Sequence, residues 1–214
     1  MLEPSFVKSA LRLYLVTDRD LSRGRSLEEV IAKAVNGGTT MVQLREKRAS
    51  SREFYESALR IKQILKGTGV PLIINDRADI AFAVDADGVH LGQRDLPPEK
   101  ARKILGKDKI IGLSIETLKE AEIANALDVD YIAVSPVFGT PTKTDTAPAL
   151  GLDGLRKIAG ITRHPLTGIG GIHSSNAREI IKAGADGIAV VSEIMSAEEP
   201  ELAAKMLLTE MGKQ

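Results

Sequence analysis

The chain contains no cysteine and no tryptophan. Without cysteine it can build no disulfide framework, zinc–thiolate site or cysteine nucleophile, and nothing in it depends on an oxidising compartment. Aromatic side chains are scarce, with four Phe and three Tyr in 214 residues, too few for the stacking platforms that hold single-stranded nucleic acid. Charge of neither sign is in excess: 29 Lys+Arg face 29 Asp+Glu. That balance argues against a general basic surface for nucleic acid or an anionic membrane, so any attraction for anions must be local. Long apolar runs are missing too. No segment approaches the roughly 18–20 uncharged apolar residues that would cross a bilayer, and Glu3, Lys8 and Arg12 interrupt the opening stretch where a secretory signal would need a continuous apolar core. The expectation is a soluble cytoplasmic protein with no nucleic-acid or membrane partner. Self-association into a homo-oligomer stays open.

What the chain does have is a 43% hydrophobic fraction, ordinary for one well-buried core, laid out as a regular alternation. Short β-branched runs predict strands at Leu13–Thr17, Met41–Leu44, Pro71–Asn75, Gly88–Leu91, Ile110–Ser114, Tyr131–Ser135, Leu166–Gly170 and Gly187–Val191. Segments of helical period lie between them. In Ser26–Asn36 the serine stands where an N-cap belongs, Glu29 follows three residues later, and Val30, Ile31, Ala34 and Val35 form an apolar stripe. Gly37-Gly38 then stops it. Arg52–Leu65, Pro97–Leu105, Glu116–Leu127, Leu152–Ile158, Ser174–Ala183 and Glu199–Met211 read likewise, and Asp79–Val84 reads as a short helix.

Strands that alternate with crossover helices pair in parallel. Eight units in 214 residues leave about 27 residues each, close to the ~30 of a βαβ repeat. The expected architecture is therefore α/β, a single (β/α)8 TIM barrel spanning residues 1–214 as one domain. A doubly wound open sheet is disfavoured because Leu13–Thr17 is followed by Asp18-Arg19-Asp20 rather than a glycine-rich dinucleotide fingerprint.

In such a barrel the chemistry sits at the C-terminal ends of the strands, and polar residues collect there. Gly168-Ile169-Gly170-Gly171 closes strand seven, and Val191-Ser192 closes strand eight. Backbone amides at such turns, and at the helices they open, suit a phosphate, although a tight turn needs glycine for its dihedral angles alone. Elsewhere on the same mouth Arg45, Lys47 and Lys143 suit a polyanion. Asp76 and Asp95, ending adjacent strands, suit a divalent cation shared with a diphosphate; a helix cap is the competing role for Asp76. His90 lies inside strand four, where a hydrogen-bonded core histidine is at least as natural as a functional one. Ser135 and Ser192 show no His/Asp partnership of the hydrolase kind.

Taken in order, Gln43-Leu44-Arg45-Glu46-Lys47, Asn75-Asp76-Arg77, His90-Leu91-Gly92-Gln93 with Asp95, Gly112 with Ser114, Thr140-Pro141-Thr142-Lys143 and Gly168-Ile169-Gly170-Gly171 resemble the motifs of the thiamine-phosphate synthase family from Leu13 to about Ala203. The resemblance implies a transferase of thiamine biosynthesis. Such an enzyme joins hydroxymethylpyrimidine diphosphate to hydroxyethylthiazole phosphate, giving thiamine phosphate and pyrophosphate, with Mg2+ as cofactor. It implies that Gln43, Leu44, Arg45, Glu46, Lys47, Asn75 and Lys143 hold the pyrimidine diphosphate, that Asp76 and Asp95 bind the metal, and that Ser114 hydrogen-bonds the pyrimidine. Thr140, Pro141, Thr142, Gly171, Val191 and Ser192 would line the thiazole phosphate site. Lys143, Arg45, Lys47 and Ser114 would act on the reacting groups.

Three rival readings remain. A thiazole tautomerase of the same barrel family would need no metal–diphosphate half-site, yet Arg45, Lys47, Asn75, Asp76, Asp95 and Lys143 are all present. A sugar-phosphate isomerase or aldolase should place a catalytic Lys or Glu on a strand. A thiazole-phosphate-binding barrel without catalysis would keep the phosphate turn alone.

Overall fold

A computed structural model describes residues 3–140 and 148–212. Eight parallel strands close on themselves in chain order: β1 (Leu13–Val16), β2 (Met41–Leu44), β3 (Leu72–Asn75), β4 (Gly88–Leu91), β5 (Ile110–Ile115), β6 (Tyr131–Val134), β7 (Leu166–Ile169) and β8 (Gly187–Val190), with β8 pairing back to β1. All eight expected strands form, with ends displaced by a residue.

The helices are α1 (Pro4–Ala10), α2 (Leu27–Asn36), α3 (Ser51–Leu65), α4 (Ala78–Ala83), α5 (Pro98–Leu105), α6 (Leu118–Ala124), α7 (Gly151–Ile161), α8 (Ala177–Lys182), α9 (Ser192–Met195) and α10 (Pro200–Gly212). Local chemistry sets their starts. Ser26 accepts the Glu29 amide at 3.1 Å, and Ser50 and Glu53 form a reciprocal capping box. The segment after strand seven departs from expectation. His173 to Asn176 form a turn closed by the Asn176 side chain, and α8 begins only at Ala177.

Strand side chains alternate between two cores. Outward residues such as Leu15, Val42, Leu44, Ile74, Val89 and Ile132 pack against the helices. Inward residues Tyr14, Val16, Met41, Ile73, Ile110, Tyr131, Ala133 and Ala189 fill the barrel together with Val7, Ala10 and Leu11 from α1 and its end. This helix, which the sequence reading did not foresee, therefore plugs the end of the barrel opposite the strand C-termini. Gly187 makes room for it, since a Cβ there would lie 1.9 Å from the Leu11 carbonyl oxygen. No helix among the described residues is long and apolar enough to cross a membrane.

Candidate active site

The strand C-termini surround a cavity of about 590 Å3, mid-range for a small-molecule site. Gln43, Arg45, Lys47, Asn75, Asp76, Asp95, Ser114, Thr140, Gly171, Val191 and Ser192 all line it, as expected of them. Pro141, Thr142 and Lys143 lie outside the described residues.

Two residues of the first motif point elsewhere. Leu44 is fully buried in the outer core. Glu46 pairs with Arg19 in a neighbouring charged cleft. The cause is the two-residue period of an extended chain: Gln43, Arg45 and Lys47 fall on one side, Leu44 and Glu46 on the other. The side chains of Leu44 and Glu46, expected with the rest of the motif, therefore do not line the cavity.

The cations and carboxylates engage one another. Arg45 Nη1 stands 3.2 Å from Asp18 Oδ2, and its amide donates to Thr17 Oγ1 at 3.0 Å. Lys47 Nζ donates to Asp76 Oδ2 at 2.7 Å. Asp76 has a left-handed backbone, φ +63°, at the centre of a tight turn in which the Arg77 amide reaches the Asn75 carbonyl at 2.7 Å. A non-glycine residue in that region is uncommon and tends to mark a functional position. Its carboxylate does not cap α4, whose N-terminal residue receives no side-chain cap. Arg77 is held by Asp79 at 2.6 and 2.8 Å and by Ser51 at 3.0 Å, away from the cavity.

Asp95 Oδ2 accepts the Gly92 amide at 2.7 Å. Burial raises the Asp95 pKa and the adjacent Asp76 carboxylate adds to this, outweighing the Gly92 hydrogen bond. Burial also opposes ionisation of Asp76, but the hydrogen bonds from Lys47 and Asp95 prevail and hold its pKa below the ordinary value. The two neighbouring carboxyls are thus shifted in opposite directions, Asp95 up and Asp76 down.

Opposite, the turn after β7 takes Gly170 and Gly171 through φ +101° and +61°. A Cβ on Gly171 would lie 2.7 Å from the Gly139 carbonyl oxygen, so both dihedral angle and close approach demand glycine. This does not displace the phosphate reading: Gly170, Gly171, Val191 and Ser192 border the cavity, and Ser192 opens the short helix α9. An extra short helix after strand eight is the usual place for a phosphate in this fold.

The cavity floor adds two tyrosines that carry no local motif and a histidine already expected to be hydrogen-bonded in the core. Tyr14 and His90 line it, with Tyr131 buried behind them. Burial holds the phenol pKa of both tyrosines well above 10, so they stay protonated. His90 is 7% exposed and bonded through both ring nitrogens, to Tyr131 and to Ser114. Two tyrosines at inward positions of strands were the available signal. His164 and His173 make local bonds to Ala124, Ser175 and Asn176.

A closed parallel barrel whose mouth gathers carboxylates, cations and a glycine turn around one cavity defines a (β/α)8 enzyme with a small-molecule site at the strand C-termini. Residues 13–194 match the family model described as thiamine monophosphate synthase, and the chain belongs to that family. Similar curated proteins named thiamine-phosphate synthase come from Albidiferax ferrireducens, 54% identical over 92% of this chain and 90% of the relative, and from Syntrophomonas wolfei, 55% identical over 94% and 96%. A solved structure of thiamine phosphate pyrophosphorylase from Pyrococcus furiosus superposes with a TM-score of 0.88 at 40% identity, covering 96% of this chain and 97% of that one.

Proposed function

We propose that the chain condenses hydroxymethylpyrimidine diphosphate with hydroxyethylthiazole phosphate, releasing pyrophosphate and thiamine phosphate. The observation that carries this reading is the meeting of Arg45, Lys47, Asp76 and Asp95 in one cavity with the Gly170-Gly171 turn and Ser192 on its other side. A tautomerase acting on the thiazole alone would have no use for the first group.

The carboxylate pair fits Mg2+. Both candidate ligands are hard oxygens, and a divalent cation between them would offset the repulsion that helps to raise the Asp95 pKa. Among the described residues no cluster of three His, Asp or Glu side chains forms a complete metal cage. An ion here would be held by one or two carboxylates and substrate phosphates. When bound, Mg2+ would neutralise charge on the diphosphate.

The protein's own groups have a limited task. The bond between the pyrimidine methylene and the diphosphate oxygen breaks, and its electron pair leaves with pyrophosphate. The amino-substituted ring carries the resulting positive charge until the thiazole nitrogen donates its lone pair to the methylene. Arg45 and Lys47 stabilise the charge that builds on the leaving group, joined by Lys143 on the strength of the family motif. Gln43, Asn75 and Ser114 orient the pyrimidine. Thr140, Gly171, Val191 and Ser192 hold the thiazole phosphate, which brings the two rings together.

A pyrophosphate-release assay with both substrates, with and without Mg2+, tests the reading. Release that requires both substrates is expected. Its absence under every condition defeats the proposal, and isomerisation of the thiazole alone would install the tautomerase in its place.

A further inference from the structure

Beneath the mouth a hydrogen-bonded chain crosses the barrel interior. Gln43 Nε2 donates to Tyr14 Oη at 2.6 Å, Tyr14 Oη meets Tyr131 Oη at 2.8 Å, Tyr131 Oη meets His90 Nδ1 at 2.8 Å, and His90 Nε2 meets Ser114 Oγ at 2.9 Å. Its members come from β2, β1, β6, β4 and β5, so it starts and ends on two residues assigned to the pyrimidine.

One missing side chain allows the crossing. His90 and Tyr131 stand on strands that are not neighbours, and Gly112 of β5 lies between them, opposite both in register. A Cβ on Gly112 would fall 2.1 Å from Tyr131 Cζ, so the tyrosine ring occupies the space that any other residue would fill. There it stacks on His90, with centroids 5.5 Å apart and planes 29° from parallel, and meets Tyr14 edge to face.

Counting protons gives the chain a direction. Each phenol has one proton to give. Tyr14 receives from the Gln43 amide, so its proton goes to Tyr131, and the Tyr131 proton goes to His90 Nδ1. With Nδ1 an acceptor, the neutral ring carries its proton on Nε2 and donates it to Ser114. The Ser114 hydroxyl, already accepting, has its own proton left for the cavity.

We infer that Tyr14, Tyr131 and His90 are positioning residues for the pyrimidine: they fix His90 as the Nε2–H tautomer and commit the Ser114 hydroxyl to donating into the mouth, where it selects a ring-nitrogen acceptor. The inference rests on the proposed pyrimidine half-site, and it makes the interior of the barrel part of substrate recognition. Reversing the chain would require the Gln43 amide to present its oxygen to Tyr14, and Ser114 would then meet the substrate with lone pairs alone.

The test pairs a spectroscopic measurement with kinetics. Nitrogen-15 NMR of the histidine rings in the full chain, assigned with His90→Gln, should show neutral His90 protonated at Nε2 and unprotonated at Nδ1. Tyr131→Phe keeps the ring and removes only the hydroxyl, so it should turn His90 into a tautomer mixture. It should also raise KM for the pyrimidine diphosphate roughly threefold to tenfold, the scale of one neutral hydrogen bond, with KM for the thiazole phosphate unchanged. Tyr14→Phe should shift both readouts in the same direction. A pyrimidine diphosphate whose ring-nitrogen acceptor is replaced by CH should bind Tyr131→Phe and the unaltered chain alike. An Nδ1–H tautomer in the unaltered chain overturns the inference even if Tyr131→Phe fails to fold. An unchanged KM in a folded Tyr131→Phe overturns it, as does an equal loss for both substrates. Absence of pyrophosphate release by the unaltered chain strikes the proposed function instead, and the NMR result still decides the direction of the chain.

Discussion

Lys47 and Asp76, at the ends of neighbouring strands, hold each other at 2.7 Å, and the Asp76 carboxylate adds to the burial that raises the Asp95 pKa. On the proposed reading, a cation for the leaving diphosphate and a carboxylate for the metal are therefore joined before either meets its ligand. Loading the site would then exchange this pair for two others, Lys47 with diphosphate and the carboxylates with Mg2+.

Asp76→Asn and Asp95→Asn should each lower turnover about 10²–10³-fold, the usual effect of removing one preorganised charge. Both keep the shape of the side chain, so thermal unfolding should stay close to that of the unaltered chain. Rates of pyrophosphate release against Mg2+ concentration provide the check. A normal Mg2+ response in both variants would remove the two aspartates from the metal site.

The raised Asp95 pKa gives the proposed metal binding a pH dependence with a definite sign. Burial and the neighbouring carboxylate raise the pKa of Asp95, so it gains a proton at higher pH than an ordinary aspartate. Mg2+ must displace that proton. Affinity should therefore weaken as pH falls toward the raised Asp95 value and level off above it. Calorimetric titration of Mg2+ with pyrophosphate at a series of pH values reads this directly; an affinity that strengthens on acidification contradicts it.

Gly112→Ala places a methyl group where the Tyr131 ring lies. Overpacking of this kind typically costs about 1–3 kcal/mol, and here the displaced ring also releases His90 and Ser114. Urea unfolding should show a lower midpoint with an unchanged slope, together with reduced turnover. Full stability and full activity would mean that the barrel interior yields more easily than its packing indicates.

The barrel was legible because short, largely apolar strand runs alternate with segments of helical period along the whole chain. Two helices escaped notice. In α1 only Val7 and Ala10 are buried, which is too little to mark a period, and α9 is a single turn, Ser192–Met195. Within the site, polar residues at the strand ends were legible because the fold sends them to one face. The interior chain was not, since Tyr14 and Tyr131 are 117 residues apart and no local pattern joins them. Leu44 and Glu46 belong to a contiguous motif that strand alternation divides, so they do not line the cavity that Gln43, Arg45 and Lys47 line.

Arg77 follows Asp76 in the motif, yet its guanidinium is held by Asp79 and Ser51 outside the cavity. Arg77→Ala should change the transition-state free energy by no more than about 0.5 kcal/mol, the scale of ordinary surface substitutions. Steady-state kinetics with both substrates measure this, and a large rise in KM for the pyrimidine diphosphate would place Arg77 on the substrate after all.

Asp18 is expected to matter although it bears no charge suited to either substrate. Its carboxylate lies 3.2 Å from Arg45 Nη1, with both side chains about four-fifths buried, and it also accepts the Asp20 amide at 3.1 Å. Asp18→Asn keeps an oxygen for that amide, and so the loop, while it removes the charge that aims the guanidinium. A misplaced catalytic group costs up to about 10²-fold in rate, and the loss should appear mainly in kcat. Arg45→Ala should hide most of it: in the double variant Asp18→Asn should add little further loss, because the residue it positions is already gone. Independent, multiplying effects of the two substitutions would show that Asp18 acts by some route other than Arg45.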